Sequence, residues 1–157
     1  MTRTRARAPR GERVVGQVPR NRGTVTTMLA GLTLRGITAV MTIEGGTSGD
    51  VFTAFVEHVL RPTLRIGDVV VLDNLGAHKV DAARKQIESA GARLLFLPPY
   101  HPDLNPSETA WSKVKQLLKS AEARTREALD AAIAVAVSAV SSRDAAGYFG
   151  GCGYHVK

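Results

Sequence analysis

The sequence has little cysteine and no long hydrophobic run, and both shortages exclude classes of protein. Cys152 is the one cysteine, which excludes an internal disulfide and is typical of a reducing cytoplasm. The longest apolar stretch, residues 131–140, is shorter than the roughly 20 residues that span a bilayer. No secretory signal is recognisable either. We therefore expect a cytoplasmic protein without a membrane-spanning segment.

Local signatures of common catalytic and zinc sites are also missing. Cys152 and His155 form a C-x-x-H pair, but two ligands cannot build a zinc site. The other histidines, His58, His78 and His101, show no i, i+4 spacing on a helix. No Ser-His-Asp or Cys-His signature stands out.

Acidic residues are nearly absent from the first 22 residues. That segment holds seven arginines and one acid, Glu12, so it carries +6 of the net charge of +7. Arginines that neutralise phosphates release counterions, so residues 1–23 suit an arm that contacts nucleic-acid phosphates. A merely solvated tail is the alternative. The candidate phosphate contacts are Arg3, Arg5, Arg7, Arg10 and Arg13.

The remaining pattern predicts one α/β domain. Strand-like segments occupy residues 24–34, 37–46, 67–74 and 93–99, and helical periodicity occupies 47–61, 79–91, 106–120 and 125–142. The first two strands look like a hairpin, and the later strand–helix–strand units indicate parallel pairing, hence a mixed sheet. The apolar run at 67–74 is typical of a fully buried central strand. We assign 24–146 to the domain and 147–157 to an irregular, glycine-rich tail.

Two carboxylates are expected at one edge of this sheet. Asp73 ends the predicted buried strand, where open α/β sheets bind ligands, although it could simply form a turn. Glu108 opens the helix after the next strand, where it could also complete a capping box with Asn105. If both strands are parallel neighbours, the two carboxylates converge. Such a pair suits Mg²⁺ or Mn²⁺, which take oxygen ligands and share substrate phosphates.

Two motifs carry a resemblance to a known family. "VVVLDNLGAHK" contains Asp73, and "LLFLPPYHPDLNPSETAWSKVK" contains the block from Pro98 to Glu108, with 34 residues between the two acids. Both motifs and their spacing closely resemble bacterial insertion-sequence transposases of the DDE type, relatives of the mariner transposases. The resemblance runs from about Ala8 to Tyr154.

The resemblance implies a ribonuclease H-like fold and metal-dependent cleavage and transfer of DNA strands. Asp73 and Glu108 would be catalytic metal ligands for Mg²⁺ or Mn²⁺. The neighbouring residues expected to shape the site or contact substrate are Asn74, His78, Tyr100 and Asn105. The implied partners are transposon-end and target DNA and either further copies of the chain or full-length transposase. The implied location is the bacterial cytoplasm at the nucleoid.

The sequence departs from this family at the first carboxylate. A DDE site needs a third acid on a central strand ahead of the arm, and Glu12, Asp50 and Asp68 lie in loop, helix-start and turn contexts. We therefore expect a fragment of the domain that lacks the first central strand. It should transfer strands poorly alone, and its low stability should reflect strands without a neighbour. A non-catalytic, truncated protein that binds DNA or transposase is the competing interpretation, and another ribonuclease H-like nuclease is less favoured.

Overall fold

The computed structural model describes residues 7–15, 24–99 and 101–154. Within these ranges the strands are β1 (Thr26–Thr33), β2 (Gly36–Glu44), β3 (Val69–Leu72) and β4 (Arg93–Phe96). The α-helices are α1 (Gly49–Phe55), α2 (Asp81–Ser89), α3 (Pro106–Ala121), α4 (Arg126–Ser138) and α5 (Ser142–Gly151). The order of strands and helices follows the prediction as far as α4.

The prediction of a single last helix, followed by an irregular tail, was wrong. Helix α4 stops at Ser138, and α5 begins after Ser141 and runs to Gly151. The break follows from a capping box, in which the Ser141 hydroxyl accepts from the Asp144 N–H and the Asp144 carboxylate accepts from the Ser141 N–H. These reciprocal bonds satisfy two amide donors that a helix start leaves unpaired.

The strands of the described residues form two separate sheets. β1 pairs with β2 as an antiparallel hairpin, and β3 pairs with β4 in parallel. Within the described part of the chain, β1 and β3 therefore have one hydrogen-bonded neighbour each. Within the described residues, the antiparallel pair and the parallel pair therefore do not join in the one mixed sheet that the sequence predicted.

Helices cover both faces of the β1–β2 hairpin. Leu29 and Met41 pack against one buried cluster, whereas Met28 and Leu32, which point to the opposite face, pack against another. The first cluster is formed by Phe52, Phe55, Val56, Leu60, Ala83, Ile87 and Ala92. The second cluster is formed by Val114, Leu118, Ile133, Ala136 and Val140. The hairpin thus joins the α1–α2 layer to the α3–α4 layer.

The β3–β4 sheet is covered on one face only. Val70 and Leu72 pack against the first cluster, whereas Val69 is 44% exposed and Val71 is 40% exposed on the other face. Leu95 of β4 is 49% exposed beside them. The prediction of a fully buried strand was therefore wrong for one face of β3, because no described element lies over it.

Candidate active site at the carboxyl ends of β3 and β4

Asp73 and Glu108 emerge from the same end of a parallel strand pair. Asp73 directly follows β3, whose register with β4 runs from Val69 opposite Arg93 to Leu72 opposite Phe96. The Leu97 N–H extends the ladder by donating to the Leu72 carbonyl at 2.8 Å. Since the strands are parallel and in register, the chain leaves both at one edge, as the sequence predicted.

The Asp73 carboxylate is held by two neighbours through the same oxygen. Its Oδ1 accepts from the Leu75 N–H at 3.0 Å and lies 2.7 Å from Nδ1 of His78. The His78 side chain is 15% exposed, and its ring packs on Phe52 with centroids 4.4 Å apart. His78 therefore contacts both the Asp73 carboxylate and the core residue Phe52. Within the described residues, no hydrogen bond reaches Oδ2, so that oxygen is available to a ligand.

Asn74 ties together the ends of the two strands. Its Nδ2 donates to the Leu97 carbonyl, so a side chain that follows β3 is hydrogen-bonded to the backbone that follows β4. This bond fixes the loop that carries Asp73 relative to the proline-rich segment. The site-shaping role predicted for Asn74 from the sequence stays a prediction.

Glu108 is presented by a capped helix start. After a 3₁₀ turn at Pro102–Leu104, the Asn105 side chain accepts from the Ser107 N–H at 3.2 Å. Asn105 is therefore the N-cap of α3. The predicted reciprocal bond from Glu108 is replaced, since the Asn105 N–H donates to the Pro102 carbonyl at 3.0 Å. No hydrogen bond involves the Glu108 carboxylate in the described structure, and it is exposed.

One open cavity of about 220 Å³ brings these groups together. Its lining consists of Asp73, Asn74, Leu97, Pro98, Pro99, His101, Pro102, Asn105 and Glu108. His101 was not predicted as a site residue. The signal that could have identified it was its position between two predicted site residues, Tyr100 and Asn105, in the proline-rich loop.

Several predicted residues lie away from this cavity or outside the described ranges. Arg7, Arg10 and Arg13 are described and exposed, and they do not line the cavity. Arg3, Arg5 and Tyr100 fall outside the described residues, as does His155 of the C-x-x-H pair.

The donor chemistry of the cavity fits a hard divalent cation incompletely. Asp73 and Glu108 supply carboxylate oxygens, the ligand type that Mg²⁺ and Mn²⁺ prefer. Among the described residues, however, no three His, Cys, Asp or Glu side chains group closely enough to hold a metal. Asp68 lies before β3, at the opposite end of that strand, where its carboxylate accepts from the Arg65 N–H. The two acids therefore fit a cation that takes its remaining ligands from substrate phosphates and water.

The described residues thus form an α/β domain in which two acids meet at one edge of a parallel strand pair. The family model of the DDE superfamily endonucleases matches residues 1–130, and the chain belongs to that family. No curated protein matches the chain significantly. The ribonuclease H-like fold predicted from the sequence is confirmed by the structural matches below.

Solved structures of Mos1 transposase share this fold. The Mos1 strand transfer complex aligns with a TM-score of 0.70 and 17% identity over 97% of this chain and 46% of that one. The Mos1 mariner paired-end complex with Mn aligns with a TM-score of 0.69 and 17% identity, over 98% and 47% of the two chains. The chain thus spans about half the length of these proteins. In the part of the chain that the structure describes, no helix is both long and apolar enough to cross a membrane.

Proposed function

We propose that this chain supplies two of the metal-binding carboxylates of a DDE transposase, and that the complete protein cleaves and transfers DNA strands in transposition. The observation that carries the proposal is that Asp73 and Glu108 line one cavity. Membership of the endonuclease family and the fold shared with Mos1 transposase support it. We place this activity in the bacterial cytoplasm, at the nucleoid.

In this proposal each described site residue has a distinct task. Asp73 and Glu108 would hold Mg²⁺ or Mn²⁺, which would supply electrostatic stabilisation of a phosphoryl transfer. Asp73 offers Oδ2 while His78 holds its other oxygen, and Glu108 offers an unpaired carboxylate from the start of α3. Asn74 fixes the loop that carries Asp73, and Asn105 caps the helix that carries Glu108.

We further propose that the chain transfers strands poorly on its own. Two carboxylates without a third acid, in the residues that the structure describes, hold a catalytic cation weakly. The missing ligand would come from another segment of a longer protein or from full-length transposase. We also propose that the chain associates with a second copy of itself.

A DNA assay with a labelled duplex of the element's end tests this function. With Mg²⁺, we expect a mobility shift and little nicking by the chain alone, and nicking when the segment carrying a third acid is supplied. Asp73→Asn should abolish that restored nicking. Efficient nicking by the chain alone, or nicking that survives Asp73→Asn, would contradict the proposal.

The alternative is a non-catalytic protein that binds DNA or transposase. The exposed Arg7, Arg10 and Arg13 favour it, because they are free to contact phosphates. The same assay separates the two functions, since a binder gives a shift but no nicking even after the third acid is supplied.

The arginine arm should determine how DNA affinity depends on salt. Replacing Arg7, Arg10 and Arg13 by Ala is expected to flatten the slope of log K against log salt by roughly 2–3, since each phosphate that is no longer neutralised accounts for about 0.9. A fluorescence-anisotropy titration at several salt concentrations measures this slope. The matched Arg→Lys triple variant keeps the charges and should keep the slope. An unchanged slope in the Ala variant would show that these arginines do not contact DNA.

His78→Ala should weaken Mn²⁺ binding through Asp73. Partners that orient a metal ligand typically contribute about 10- to 100-fold to metal affinity, and we expect a loss in that range. Calorimetric titration with Mn²⁺ measures it. His58→Ala, an exposed histidine on the turn after α1, is the matched control. Equal affinities of His78→Ala and the unaltered chain would contradict the orienting role.

A further inference from the structure

The end of α5 folds back on itself and returns the chain toward the site. Helix α5 ends at Gly151, and Gly153 takes a φ of +83°, the left-handed region that glycine adopts without strain. The Gly153 N–H donates to the Gly150 carbonyl, and the Tyr154 N–H donates to the Phe149 carbonyl, both at 3.0 Å. This turn reverses the chain and lays Tyr154 beside Phe149.

Tyr154 contacts the loop that precedes Glu108. Its hydroxyl donates to the Leu104 carbonyl at 3.0 Å across 50 residues of sequence, and its ring meets Phe149 edge to face with centroids 5.7 Å apart. Burial, and then the charge of Asp103 in this loop, raise the pKa of the Cys152 thiol. The glycine-rich end therefore packs on the Pro102–Leu104 turn.

The other end of α5 is anchored to α3. Nζ of Lys113 donates to the Asp144 carboxylate and to the Ala139 carbonyl, each at 2.8 Å. Lys113 lies in the middle of α3 and Asp144 near the start of α5, while Tyr154 reaches the residue before the α3 cap. Helix α5 thus braces α3 at one end and the loop before α3 at the other.

We propose that Tyr154 is a positioning residue for Glu108. Its hydroxyl fixes the Leu104 carbonyl, which adjoins the Asn105 cap, and so holds the first turn of α3 facing the cavity. Tyr154 does not itself line the cavity. The inference rests on the proposed metal-binding role of Glu108, but the contact with the loop is measurable without any metal.

Tyr154→Phe removes the hydroxyl and keeps the ring on Phe149. Loss of one hydrogen bond should speed local opening of the loop by about two- to tenfold. Hydrogen exchange should detect this at the amides of Leu104 and Asn105, which donate to His101 and Pro102. The Mn²⁺ dissociation constant should rise by a similar factor. Tyr148→Phe is the matched control, since Tyr148 lies within α5, six residues before Tyr154, and packs against the second cluster.

The exchange data decide the proposal. Faster exchange confined to the loop amides in Tyr154→Phe, and absent in Tyr148→Phe, supports it. Unchanged exchange in the loop overturns the proposal, because the hydroxyl would then not hold the loop. Faster exchange spread evenly over α3 and α5 also overturns it, because the hydroxyl would then stabilise the whole region and not this loop. If the unaltered chain fails to bind Mn²⁺, the proposed function of the site fails, and exchange alone still decides whether Tyr154 holds the loop.

Discussion

Phe52→Ala is expected to destabilise the domain by about 3–5 kcal/mol, the usual cost of removing a buried phenylalanine side chain. Phe52 is 2% exposed in the first cluster, with the Phe55 ring 6.2 Å away between centroids. Domains of this kind have a total stability of about 5–15 kcal/mol, so the variant should lose a large fraction of its free energy of unfolding. Urea unfolding followed by circular dichroism measures the loss.

Phe52→Leu is the matched control, because it keeps most of the volume and should cost less than about 1.5 kcal/mol. Trp111 packs against the second cluster, so its fluorescence reports on that cluster separately. If the hairpin couples the two clusters, both probes should give the same midpoint in both variants. A Phe52→Ala midpoint equal to that of Phe52→Leu would contradict the assigned packing.

Phe52 also links the core to the site. Its ring supports the His78 ring, which holds Asp73. In the folded fraction of Phe52→Ala, His78 loses this support, so Mn²⁺ affinity should fall together with stability. Helix α1 therefore contributes to the site although none of its residues lines the cavity.

Local sequence patterns predicted the features of the site that depend on near neighbours. Asn105 and Pro106 marked the start of α3 because capping is decided within one helical turn. Asp73 was placed correctly because a short apolar run followed by Asp-Asn marks the end of a strand. The convergence of the two acids required only that β3 and β4 be parallel neighbours.

Features that depend on distant contacts were not predictable in this way. The apolar run of β3 indicated burial, but it carries no information on whether another element covers its second face, and Val69 and Val71 are half exposed. The contact from Tyr154 to Leu104 spans 50 residues without a local signal. The break before α5 did have a signal, the Ser141-x-x-Asp144 capping box, which the continuous apolar pattern obscured.

The open edges of the two sheets bear on stability. β1 and β3 each have one strand partner within the described residues, and Val69, Val71 and Leu95 are exposed on the uncovered face of the β3–β4 sheet. Unpaired strand edges with apolar side chains favour intermolecular pairing. The low stability expected from the sequence stays a prediction, and the unfolding measurements on Phe52 variants test it against the unaltered chain.

Asp73→Asn and Glu108→Gln are each expected to weaken Mn²⁺ binding by about 10- to 100-fold, and the double variant should show no saturable binding. Each substitution keeps the shape of the side chain but removes one negative charge from the cavity. A unit charge pair about 4 Å apart near a protein surface is worth about 4 kcal/mol. Solvent screening at an exposed site reduces this energy, so we expect the affinity to fall by one or two factors of ten, each worth about 1.4 kcal/mol. Calorimetric titration at constant ionic strength measures the affinities.

Asp103→Asn is the matched control for these variants. Asp103 lies in the same loop as the cavity residues but does not line the cavity. Its substitution by Asn changes the net charge by the same amount as the other two substitutions. Equally weakened Mn²⁺ binding in all three single variants would mean that Mn²⁺ is attracted by the overall surface charge and does not bind at a specific site. Weaker Mn²⁺ binding in Asp73→Asn and in Glu108→Gln, but not in Asp103→Asn, would mean that the two acids bind one cation. Each acid would then be needed even when the other is intact. Adding a short DNA duplex should tighten binding to the unaltered chain, because phosphate oxygens complete the shell that two carboxylates leave open.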